Sequence, residues 1–309
     1  MRLPLHLRIN CRFPSYRSFS FPAADTRPRL PLAYKFICTM STSTGSTPNG
    51  SANKKPAGNG KKEIRILMLH GYTQSGPLFR SKTRALEKLI AKLLGPFNLV
   101  PTLFYPTGPC KLSPRDIPGF VPEESANGEP EEDLDAWGWW RKDEASGSYR
   151  FVDQGVSTAA AAIREAGGNI DGVLGFSQGG AFASVLTAML EKPHREIPEE
   201  LRSSAQELRD ANGGEPFKFS VIYSGFFATP DDLKWAYEPK IKTPTLHFIG
   251  SLDTVVDESR SQGLADRCEE PMVVVHPGGH YVPISKEWAM PLIGFIKKIA
   301  DEELAKSKV

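Results

Sequence analysis

The sequence predicts an α/β fold in which a mostly parallel central sheet carries helices on both faces. Three observations predict it. Short, nearly all-apolar runs such as IDGVLGF and KFSVIYSGF recur along the chain, as strands covered on both faces require. Segments with apolar residues at helical spacing separate them, including LFRSKTRALEKLIAKLLG and GGAFASVLTAMLEK, and such alternation marks a parallel sheet built by helical crossovers. Finally, DGVLGFSQGG breaks an apolar strand at a serine fenced by small residues and passes straight into a helix.

The fold begins only after two other zones. Residues 1–40 carry seven basic side chains against one acid, 7 − 1 = +6, which leaves +2 − 6 = −4 for the rest of the chain. This Arg-rich, acid-poor leader reads either as a mitochondrial transit peptide or as an upstream extension preceding a start at Met40. The corresponding expectation is a cytoplasmic protein, present in the nucleus as well, or a mitochondrial one if the leader is a genuine transit peptide. Residues 41–62 are mostly Ser, Thr, Gly, Asn and Lys, a composition expected of a flexible polar linker. Because the basic excess belongs to the leader, no nucleic-acid surface is expected on the folded part. No run of about 18 apolar residues suggests a membrane span. Cys11, Cys38, Cys110 and Cys268 show no CxxC pair and no metal-ligand spacing, which favours a reducing compartment and no metal.

From residue 63 to 305 a single domain is expected. EIRILMLHG is a strand ending at a His-Gly turn, and the helix after it stops at Gly95, a natural terminator. FNLVPTLFYP is a second strand. Residues 111–135 are rich in Pro, Gly and acids, too long a stretch for a simple connection, and WGWWRK follows. QGVSTAAAAIREAGG is a helix, IDGVLGF a strand and GGAFASVLTAMLEK the next helix. Residues 194–216 are charged and helical around 200–210; a solvated excursion is preferred there over a lid. KFSVIYSGF, TPTLHFIGS and PMVVVHPGG are strands, with a helix across 257–267 between the last two. ISKEWAMPLIGFIKKIADEEL closes the chain as a helix containing Pro291, a candidate kink.

The serine junction contains Gly175-Phe176-Ser177-Gln178-Gly179, the G-x-S-x-G pattern of a nucleophile elbow in its required strand-turn-helix setting. The tight turn demands small residues two before and two after the serine. A serine hydroxyl also needs a base, and the base an orienting acid. In α/β hydrolases these follow in the order Ser, Asp/Glu, His. Asp253 lies just past a strand's C-terminal end, where open α/β sheets place their sites; Asp257 instead resembles a helix N-cap. His280 follows a Gly-Gly hinge in a loop able to reach over the sheet, whereas His276 directly ends a strand and reads as fixed in the sheet edge. Oxyanion donors are expected from the backbone N–H groups of Tyr72 and Gln178, with His70 buttressing the first turn. Trp137, Trp139, Trp140, Phe226 and Phe227 are candidates to line an apolar acyl groove, against the general tendency of such residues to be core. A nucleotide site is excluded, since the turn lacks G-x-G-x-x-G spacing and a P-loop Lys.

These pieces together, ILMLHGYTQSG, WGWWR, GVLGFSQGGAFAS, FSVIYSGF, PTLHFIGSLDTVV and VVHPGGHYVP, run in order across residues 64–283. They resemble the fungal and animal serine hydrolases of the FSH family (family of serine hydrolases, related to the ovarian cancer-associated gene 2 product). The resemblance implies an α/β-hydrolase fold without a large cap domain and a triad of Ser177, Asp253 and His280. It also implies activity on esters or thioesters; the aromatic candidates point to a small-molecule substrate with an apolar acyl group, and the triad chemistry requires no cofactor. Some relatives are acyl-releasing thioesterases of polyketide pathways, so thioesterase or acyltransferase activity is one alternative. Another is a catalytically sluggish ligand-binding protein, and a third is a scaffold role carried by the polar N-terminus.

Overall fold

The computed structural model describes residues 60–117 and 134–307. The leader, nearly all of the linker and most of the 111–135 segment lie outside the described residues. In chain order the strands are β1 (Lys62–Leu69), β2 (Leu99–Phe104), β3 (Cys110–Lys111), β4 (Trp137–Gly138), β5 (Arg141–Lys142), β6 (Tyr149–Arg150), β7 (Gly172–Phe176), β8 (Phe219–Tyr223), β9 (Thr245–Gly250) and β10 (Met272–His276). The helices are α1 (Gly76–Leu94), α2 (Val152–Glu165), α3 (Gln178–Leu190), α4 (Glu199–Ala211), α5 (Glu258–Ala265) and α6 (Lys286–Lys306).

Six strands form one parallel sheet in the order β10-β9-β8-β7-β1-β2. Two short antiparallel ribbons, β3-β4 and β5-β6, stand apart from it. Side chains alternate across a strand, and β1 shows the consequence. Ile64, Ile66 and Met68 pack with Phe79, Leu86 and Ile90 of α1 and Leu292 and Ile296 of α6. Leu67 and Leu69 point the other way, into a core shared with α2, α3, α4 and Leu264 of α5. Two cores therefore sandwich the sheet, the α/β-hydrolase architecture expected. Helix α3 is buried along its whole length, because it lies on β1, β7 and β8 and packs against α4.

Two expectations are refined and one, the Asp257 cap, is met. The 194–216 segment is neither a lid nor a solvated excursion: Leu201, Ala205 and Leu208 of α4 join the core, and only the opposite, charged face meets solvent. Asp257 caps α5 by accepting the Arg260 N–H at 3.1 Å. Helix α6 continues through Pro291, which sits in its second turn. Among the described residues, no helix is long and apolar enough to cross a membrane.

Candidate active site

Ser177 sits between β7 and α3 with φ 55° and ψ −117°, a strained conformation that a non-glycine residue adopts only when its surroundings impose it. Those surroundings are visible. A Cβ on Gly175 would lie 2.1 Å from the Gly179 carbonyl oxygen, and one on Gly179 would lie 2.2 Å from that of Leu69. Only glycine lets β1, β7 and the first turn of α3 approach this closely. The Ser177 N–H donates to the Tyr223 carbonyl at 2.9 Å, so β8 also holds the elbow.

Asp253 lies in the turn after β9. Its Oδ1 accepts the N–H groups of Val255 and Val256, both at 2.9 Å. Its Oδ2 accepts Nδ1–H of His280 at 2.7 Å. Burial opposes the charge of this carboxylate, but the hydrogen bonds from His280, Val256 and Val255 outweigh it and hold Asp253 below the usual carboxylate range. An ionised Asp253 can only accept, which leaves His280 Nε2 as the lone-pair nitrogen. That nitrogen accepts the Ser177 hydroxyl at 2.9 Å.

The acid and base loops are stitched together. Ser251 N–H donates to the His276 carbonyl at 2.9 Å and Leu252 N–H to that of Gly278 at 3.1 Å. A Cβ on Gly250 would sit 2.6 Å from the Gly278 oxygen. His276 is buried at the strand end, packed against Tyr281 and Trp288, and plays the fixed role expected of it. Burial lowers its pKa.

Tyr72 lies in the loop after β1, which crosses the elbow so closely that a Cβ on Gly71 would be 3.4 Å from that of Ser177. Gln178 opens α3, where helical geometry leaves the first N–H groups without intrahelical acceptors. His70 buttresses this loop: its Nε2 accepts the Gly108 N–H at 2.9 Å and its Nδ1–H donates to the Gly71 carbonyl at 2.8 Å. Burial pushes its pKa down to about 4, so the ring is neutral at neutral pH.

The aromatic candidates divide. Trp139 and Trp140 are 0% and 3% exposed and stack with Phe182 and Tyr149, respectively, in the core. Both belong to the core cluster shared with α2 and α3, and burying such large rings is strongly favourable. Phe227 is packed among Tyr237, Gly263 and the Arg267 guanidinium. Trp137, Phe226 and Phe227 all retain partial exposure; Trp137 donates Nε1–H to Asp135 at 3.0 Å, and the Arg260 guanidinium lies over Phe226 at 4.8 Å. The side chain of Gln178 is a residue that sequence reasoning missed. Its Oε1 accepts the Trp139 N–H at 2.8 Å and its Nε2 donates to the Trp140 carbonyl at 3.0 Å. An amide directly after the serine and a nearby tryptophan turn were the only signals available.

Comparison with known proteins places this geometry in context. The family model described as "Serine hydrolase (FSH1)" matches residues 60–292. The chain is 31% identical over 243 residues to Family of serine hydrolases 2 of Saccharomyces cerevisiae, covering 76% of this chain and 95% of that protein. Esterase OVCA2 of Danio rerio is 30% identical over 251 residues, covering 76% and 97%. A Schizosaccharomyces pombe protein named dihydrofolate reductase is 32% identical over 230 residues, covering 72% of this chain but 44% of that protein, so the chain spans less than half its length. On the family match and the relatives spanned nearly end to end, the chain belongs to the FSH1 serine hydrolase family, enzymes that act on ester bonds.

Proposed function

We propose that the protein hydrolyses carboxylic esters or thioesters with an apolar acyl group through an acyl-enzyme on Ser177. The observation that carries this reading is the hydrogen-bonded chain from Asp253 through His280 to Ser177, with links of 2.7 and 2.9 Å. Ser177 Oγ bonds to the acyl carbon as its proton passes to His280 Nε2. The N–H groups of Tyr72 and Gln178 hold the tetrahedral oxyanion, and Asp253 stabilises the imidazolium. Collapse breaks the bond to the leaving alkoxide or thiolate, which takes the proton from His280. Water, deprotonated by His280, then attacks the acyl-enzyme; the acid leaves and Ser177 recovers its proton.

The test pairs the wild type with Ser177→Ala. A fluorophosphonate probe should label the wild type alone, and only the wild type should turn over p-nitrophenyl esters or acyl-CoA thioesters. The ratio of the two activities assigns ester or thioester preference. Undiminished turnover by Ser177→Ala would sink the reading.

A further inference from the structure

We propose that the carboxamide of Gln178, braced through Trp139 and His70, is a positioning device that sets the spacing between the two oxyanion donors. The inference rests on the hydrolase reading above and adds to it how the hole is held. Two donors work together only if they converge on one oxygen within about 0.5 Å. Here they come from different segments, Tyr72 after β1 and Gln178 at the head of α3. The β1-β7 ladder ends at the Leu69–Gly175 pair, before either donor, so the sheet alone does not fix their separation.

The turn at 137–140 does. Gln178 grips its far end with both halves of the amide, accepting the Trp139 N–H at 2.8 Å and donating to the Trp140 carbonyl at 3.0 Å. The same turn grips the Tyr72 loop on both sides of that residue. Trp139 Nε1–H donates to the His70 carbonyl at 2.9 Å, and Thr73 N–H donates to the Trp137 carbonyl at 2.9 Å. Gly138 closes the contact, since a Cβ there would be 3.0 Å from the Tyr72 ring and 3.2 Å from Gln178 Oε1. His70, Trp139 and Gln178 are 0%, 0% and 6% exposed. With water shut out, no alternative partner can stand in for a broken link. The chain Gln178–Trp139–His70 is thus a strut from one donor to the other, and a packing role alone does not require the amide.

The experiment first establishes Ser177-dependent turnover of p-nitrophenyl butyrate by the wild type, then compares Gln178→Leu, Gln178→Glu and Trp139→Phe. Gln178→Leu removes both amide bonds, Gln178→Glu keeps only the acceptor, and Trp139→Phe removes the Nε1–H donor while keeping a ring. Gln178→Leu and Trp139→Phe should each lower kcat by about 10- to 100-fold, the effect of a small misplacement in a reacting site, with KM unchanged within about twofold. Affinity for an alkyl trifluoromethyl ketone, whose adduct with Ser177 carries the oxyanion, should fall by the same factor. Affinity for the matching carbinol, which forms no adduct, should not. The double variant should be no worse than the poorer single one, and Gln178→Glu, whose carboxylate would face the Trp140 carbonyl oxygen, should lose kcat as well. A folded variant with unchanged kcat, a loss confined to KM, or multiplying losses would overturn the strut while leaving the triad intact. If Gln178→Leu does not fold, Gln178→Glu and Trp139→Phe decide by the same criteria. A wild type without Ser177-dependent turnover would instead sink the hydrolase reading, and the strut with it.

Discussion

Asp253 and His280 are joined by a 2.7 Å hydrogen bond whose direction is dictated from behind: the other carboxylate oxygen already accepts two backbone N–H groups. An asparagine at 253 would leave its oxygen on those N–H groups and turn its NH2 toward His280 Nδ1. The imidazole would then carry its proton on Nε2, where it cannot receive one from Ser177. Asp253→Asn should therefore retain the fold and lose about 10³- to 10⁴-fold in kcat. Asp257→Ala, which removes only a helix cap, should cost about 1 kcal/mol of stability at unchanged kcat. Steady-state kinetics and urea melts on the two variants check the contrast.

Ser177 holds φ 55° against the preference of any residue with a Cβ. Ser177→Gly and Ser177→Ala should be equally inactive, yet the glycine variant should be the more stable of the pair by about 1 kcal/mol. Equal melting midpoints would mean that the elbow stores no strain.

Two glycine substitutions should act in opposite senses. At Gly175 a Cβ would collide with the Gly179 carbonyl at 2.1 Å, whereas at Gly294, within α6, it would meet nothing within 4 Å. Gly175→Ala should destabilise by about 1–3 kcal/mol and displace the nucleophile, with kcat falling too. Gly294→Ala should stabilise by about 1 kcal/mol through helix propensity, with kcat unchanged. Chemical denaturation and initial rates test both.

His70 and His247 are buried, and burial lowers their pKa values to about 4 and about 3. Unfolded, each takes up a proton near pH 6.5, so their neutral burial contributes stability that is fully present above that pH. It is lost as pH falls toward the folded values, because the unfolded state binds protons the folded state refuses. Each should contribute a slope of at most about 1.4 kcal/mol per pH unit, steepest near pH 5 and smaller toward pH 6 and, for His70, toward pH 4. Urea melts across that window should show the decline, and His247→Gln should remove about one histidine's share. A flat profile in the wild type would contradict the neutral burial.

The central sheet was legible because parallel strands covered on both faces must be apolar almost throughout, as GVLGF and FSVIY are. Ser177, Asp253 and His280 were legible because strand ends and a glycine hinge mark them locally. The tryptophan turn was not. Trp139 bonds to His70 across 69 positions and to Gln178 across 39, and composition says that such rings seek burial without saying against what. Helix α4 misled for another reason: its many charges mask the stripe of Leu201, Ala205 and Leu208 that carries it into the core.

Ser177 stands in the interior of the sheet, but His280, its base in the proposed mechanism, follows β10, which among the described residues is paired on one side only. Terminal and less-contacted segments open at lower cost than the core. On the proposed mechanism, turnover should therefore fail at lower urea than far-UV circular dichroism does, and coincident loss of the two would contradict it. The outer strand would then work as a fuse, leaving an inert protein and not an indiscriminate one.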